Sequence, residues 1–127
     1  MPGTLIVSLD FELFWGMLDV CPLEKYQANV LGGRKAIPKL LELFRKHGIH
    51  ATWAAVGFLF AENYEEVCHY FPADKPGYAN EMLNPYPEFA KIGKTEQDAP
   101  CFFGPSLLKQ IAAAPGQEIG SHTFSHY

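Results

Sequence analysis

Cysteine is scarce and scattered in this 127-residue chain. Cys21, Cys68 and Cys101 are odd in number and far apart, which excludes a disulfide framework and any Cys-x-x-Cys metal site. No apolar run approaches the roughly 20 residues needed to span a bilayer. The opening Met1-Pro2-Gly3-Thr4 has no basic stretch, and the apolar run behind it is too short for the hydrophobic region of a secretion signal. Basic excess is missing as well: ten Lys and Arg stand against fourteen Asp and Glu, a net charge of −4, and no basic stripe gathers locally. That argues against a nucleic-acid footprint. No internal repeat at a fixed period is present. The expectation is a single cytoplasmic domain with no membrane and no nucleic-acid partner, because 48% hydrophobic and 19% charged residues describe an ordinary globular protein.

Thr4–Leu9 is apolar on both faces, which predicts a buried parallel strand. From about Gly33 to His47, Ile37, Leu40, Leu41 and Phe44 recur at helical spacing. Arg45, Lys46 and His47 complement the helix dipole, and Gly48 supplies the stop. His50–Val56 predicts a second strand, and Phe58–Tyr70 a short helix. Residues 71–105 change character, with six prolines and three glycines among several aromatics, and are expected to be a long irregular excursion. Ser106 is the expected cap of a helix that Pro115-Gly116 ends, and Gln117–Ser121 is the expected third strand. The order β-α-β-α-β implies an α/β fold with a parallel sheet and right-handed crossovers.

Two clusters then fall at the carboxyl ends of strands, the edge where parallel α/β folds carry their sites. The first is Ser8-Leu9-Asp10-Phe11-Glu12, two carboxylates directly after the first strand. The second is His122-Thr123-Phe124-Ser125-His126. Histidines four apart share one face if the backbone turns helical, so both imidazoles can reach one cation. One carboxylate with two imidazoles suits a catalytic divalent metal with an open position, leaving the other carboxylate free as a base. Thr123 stands where a zincin would need its glutamate, so that signature is absent. Trp53 is expected in the core, while Trp15, Phe14 and Tyr127 are each open to a core or a sugar-stacking role. His47, His50 and His69 have no partner spacing and are expected to be structural, and Cys101 inert.

These residues resemble the polysaccharide deacetylase family, the NodB-homology domain of carbohydrate esterase family four. Ser8-Leu9-Asp10-Phe11-Glu12 is similar to its first motif, Thr-Phe-Asp-Asp, with one residue inserted and Glu in the second place. His122–His126 matches its second motif, His-Ser/Thr-x-x-His, in full. Gly48–Gly57 is similar to its second strand. The resemblance implies Asp10 as base, Glu12, His122 and His126 as ligands of a divalent metal, zinc foremost, and an acetylated carbohydrate as substrate. It also implies the first part of a distorted (β/α)7 barrel. The family's Arg-x-Pro motif and its late histidine acid have no counterpart here, and residues 71–105 exceed the family's usual connection.

The expectation is therefore a partial NodB-like domain over residues 1–127, interrupted by the insertion 71–105. It would belong to a metal-dependent hydrolase that removes N-acetyl groups from an amino sugar or polysaccharide. The 127-residue chain by itself is expected to be inactive and to self-associate through its open sheet. The alternatives are a non-catalytic partial barrel that binds sugar or a partner, and an amidase acting on a non-sugar substrate such as a ureide.

Overall fold

In the computed structural model, which describes residues 3–126, the first strand β1 covers Ser8–Phe11 rather than Thr4–Leu9. The ladder explains the shift. β2, Ala51–Ala55, pairs with β1 from Ser8 opposite Thr52 to Phe11 opposite Ala55, and the Thr52 amide donates to the Val7 carbonyl. Leu5 and Ile6 lie beyond the reach of β2, and they stay 89% and 80% exposed. β3, Gln117–Ser121, spans the expected residues and pairs with β2. All pairings are parallel and the order is β1-β2-β3. The protein is thus a mixed α/β fold on a small parallel sheet. Its two outer edges carry no ladder partner among the described residues.

Helix α1 runs over Leu23–His47, ten residues longer at its start than the periodicity suggested. The pair Gly32-Gly33 reads as a boundary in sequence, since glycine costs about 1 kcal/mol against alanine inside a helix. Tertiary packing overrides it: Val30 is buried alongside Ile37 and Leu41, and Leu23, Tyr26 and Leu31 pack on the same core. Pro38 removes one backbone donor without ending the helix. Gly48 closes it at φ 62°, its amide reaching back to the last turn.

The helix expected over Phe58–Tyr70 is divided. A 3-10 turn takes Gly57–Phe60, and α2 is confined to Tyr64–His69. Asn63 caps α2 by accepting from the Glu66 amide at 2.9 Å, while the Glu66 carboxylate accepts from the Glu62 amide. Helix α3 covers Pro105–Ala113, and its cap position is Gly104, not Ser106. The Ser106 hydroxyl and amide instead donate to Glu96.

Residues 71–105 are irregular, as expected, but they are not a surface loop. They contain two 3-10 turns, Glu81–Leu83 and Tyr86–Ala90, and bury Tyr86, Phe89, Cys101, Phe102 and Phe103. Phe58 is the hub. Its ring meets Phe89 at 4.7 Å, Trp15 at 4.9 Å, Phe124 at 5.0 Å and Tyr86 at 5.8 Å, mostly edge to face. Such pairs contribute about 0.5–1.5 kcal/mol beyond area burial. Arg34 of α1 ties down the end of the excursion, donating to the carbonyls of Pro100 and Phe103 at 3.0 and 2.7 Å and pairing with Glu96. Among the described residues, no helix is long and apolar enough to cross a membrane.

Candidate metal centre

The carboxyl ends of β1 and β3 bring the two motifs together. Asp10 lies within β1 and Glu12 immediately follows the strand. His122 follows β3, held by its amide donating to the Ala55 carbonyl at 2.8 Å. The His122 Nε2 atom is 2.8 Å from Glu12 Oε1, and His126 Nε2 is 3.1 Å from the same oxygen. The three ligand atoms of Glu12, His122 and His126 all lie within 4.8 Å of one another. Asp10 sits across the His122 ring, its Oδ1 3.9 Å from Nδ1 and its side chain 61% exposed.

The helical route to this geometry is not the one taken. Residues 122–126 form no helix. Thr123 and His126 adopt φ of 61° and 60°, and these turns bring the imidazoles to a centroid separation of 5.3 Å. Leu13, next to Glu12, has φ 51°. Among the described residues, these three are the non-glycine positions with positive φ, and all belong to the loops of this site. Such conformations cost of order 1–3 kcal/mol each and persist only where the surroundings over-determine them.

Those surroundings can be named. The amides of Gly57 and Phe58 donate to the carbonyls of Thr123 and Phe124 at 2.9 and 3.0 Å, and the Phe124 ring packs on Phe58. A side chain at position 57 would collide with the Phe124 backbone at 2.8 Å, so the close approach requires glycine. On the other side, the Phe14 amide donates to Cys101 and the Trp15 amide to the Glu12 carbonyl. The Trp15 indole donates to Phe102 at 2.8 Å. The excursion thus braces the loop that carries Glu12.

Gly16 and Arg34, which the sequence reading did not single out, matter here. A Cβ on Gly16 would lie 1.7 Å from Glu12 Oε2, so the carboxylate occupies the space that a side chain would take. No sequence signal marks this, because the contact depends on the 3-10 turn at Trp15–Met17. Trp53 is buried as expected, and Trp15 and Phe14 also resolve to the core, at 2% and 3% exposure. Tyr127 lies outside the described residues. Burial pushes the Cys101 thiol up, against a weaker pull from Arg34.

The donor set fits a divalent cation of the zinc class: two neutral imidazole nitrogens and one carboxylate oxygen. Tetrahedral zinc, with bonds of about 2.0–2.2 Å, holds its ligand atoms roughly 3.3 Å apart. The distances of 2.8 and 3.1 Å from Glu12 to the two imidazoles approach that spacing. The same constellation without a cation is a carboxylate hydrogen-bonded to two histidines.

Residues 18–127 match the family model described as polysaccharide deacetylase. The matched span includes His122 and His126 and begins after Asp10 and Glu12. No curated protein and no solved structure matches the chain.

Proposed function

Because the chain belongs to the polysaccharide deacetylase family, a hydrolase family of the deacetylase type, we propose that its centre serves metal-dependent removal of N-acetyl groups from an amino sugar or polysaccharide. The single observation that carries this reading is the convergence of Glu12, His122 and His126 from opposite ends of the chain onto one point.

Glu12, His122 and His126 would hold a divalent ion, which would supply Lewis acidity to polarise a carbonyl and make water reactive near neutral pH. The chain's own residues divide the remaining work. Glu12 is the ligand because its oxygen is shared by both imidazoles. Asp10 is the base: at 3.9 Å it makes no hydrogen bond to His122 Nδ1, so its exposed carboxylate is free to take a proton from the attacking water. Attack on the amide carbon places negative charge on the carbonyl oxygen, and the departing amine then needs a proton. We assign that donor to no described residue. An amidase on a non-sugar substrate would use the same half-site, and acetylated sugars tested against small cyclic amides separate the two.

Calorimetric titration of zinc into chelator-treated protein tests the division of roles. Wild type and Asp10→Asn should bind one ion alike, while Glu12→Gln and His122→Ala should lose affinity. Asp10→Asn should also lower kcat by roughly 10²–10⁴-fold with the metal retained. Equal zinc affinity in wild type and His122→Ala would overturn the ligand assignment, and undiminished kcat in Asp10→Asn the base.

A further inference from the structure

A cavity of about 240 Å³ opens directly beside His126. One wall is Leu18 and Asp19, after the 3-10 turn that follows Glu12. The facing wall is Tyr78, Met82 and Leu83 from the excursion. The lining is mainly apolar with a few polar groups, the composition of small-molecule sites. Its size is just under the roughly 300–1,000 Å³ that suits drug-sized ligands, so it suits a single ring. Met82 and Leu83 are 70% and 48% exposed, which the packing of the core does not require. A second cavity of about 760 Å³ adjoins the first, sharing Leu18 and Met82, and extends between the excursion and the start of α1.

We infer that residues 78–83 of the excursion form a carbohydrate subsite, which seats the sugar unit next to the scissile one and leads the chain past Met82 into the larger cavity. This rests on the deacetylase reading of the centre and adds to it a specificity surface on residues 71–105. A pyranose has an apolar C–H face and a rim of hydroxyls. Met82 and Leu83 suit the face, and the exposed Asp19 carboxylate suits the rim. The shared residue His126 fixes the relation to the centre: a unit seated here presents its neighbour to the metal ligands. The adjoining volume leaves room for further units of an oligomer.

The test is binding, which needs no turnover. N-acetylglucosamine and its oligomers of two to five units are titrated by calorimetry into the zinc-loaded chain, with zinc affinity measured in parallel. Affinity should rise with oligomer length. Met82→Ser, Leu83→Ser and Asp19→Ala should each weaken oligomer binding by about tenfold or more, the scale of discrimination that such pocket contacts supply. Zinc affinity should stay at the wild-type value in all three. These side chains are exposed, so the variants are expected to fold, and circular dichroism verifies it. Oligomer binding that ignores all three substitutions, affinity independent of length, or no oligomer binding by a zinc-loaded chain would each overturn the subsite. Failure of the wild type to bind zinc would instead overturn the reading of the centre.

Discussion

Replacing Gly16 with alanine should disable the centre while leaving the fold in place. The added methyl carbon would lie 1.7 Å from Glu12 Oε2 and 2.7 Å from Cδ, whereas real contacts of this kind begin near 3.0 Å. The carboxylate must therefore retreat by more than an ångström. Ligand distances in metal sites tolerate only about ±0.2 Å, so Glu12 leaves the ligand set. Zinc affinity should fall by at least the roughly 10–100-fold that even an outer-shell substitution costs. The fold should hold for two reasons. The φ of Gly16 is not positive, so alanine suits its backbone. The closest clash is also with the far end of a side chain. Reduced freedom in the unfolded chain adds about 0.4–1 kcal/mol of stability. Zinc calorimetry and thermal unfolding in a chelator measure the two effects separately. Adding Glu12→Asp to the variant withdraws the carboxylate by one methylene and should recover part of the affinity. Wild-type zinc affinity in folded Gly16→Ala protein would refute the reasoning.

Acid should loosen the excursion through Glu96. Burial works against its charge, but hydrogen bonds from Arg34 and Ser106 outweigh that and hold the carboxyl below its usual range. A depressed folded pKa stabilises above the unfolded value, and the contribution fades as pH falls through the folded value. Denaturant midpoints should therefore drop below the ordinary carboxylate range in wild type, and less in Glu96→Gln. A Glu96→Gln profile parallel to wild type would remove Glu96 from the account. The unpaired edges of β1 and β3, with exposed Leu5 and Ile6, should make the 127-residue chain self-associate, since open edges template pairing. Light scattering that finds a monomer at high concentration would exclude this, and Leu5→Lys with Ile6→Lys should reduce association if it occurs.

Much of the frame was legible because it rests on local chemistry. Gly48 stops α1 in the left-handed conformation, Trp53 faces the core, and Gln117–Ser121 is the strand that delivers His122. The errors share a cause: the deciding contact is distant in sequence. β1 begins at Ser8 because β2 sets the register, and α1 begins at Leu23 because its first turns pack on the core. Ser106 serves Glu96, ten residues away, in place of capping its own helix. At the centre, the residue types and their grouping were readable, but the backbone that assembles them was not. Left-handed turns at Thr123 and His126, braced by Gly57 and Phe58, take the place of the expected helix. The excursion read as an irregular stretch of open role, yet its aromatics complete the core and its end braces Glu12.

Zinc K-edge absorption fine structure on the zinc-loaded chain tests the central claim most directly. The account predicts nitrogen and oxygen ligands at about 2.0–2.2 Å, with the outer scattering of two imidazoles, and of one imidazole in His126→Ala. A sulfur shell near 2.3 Å, placing the ion on a cysteine, or the same imidazole signature in His126→Ala would contradict it.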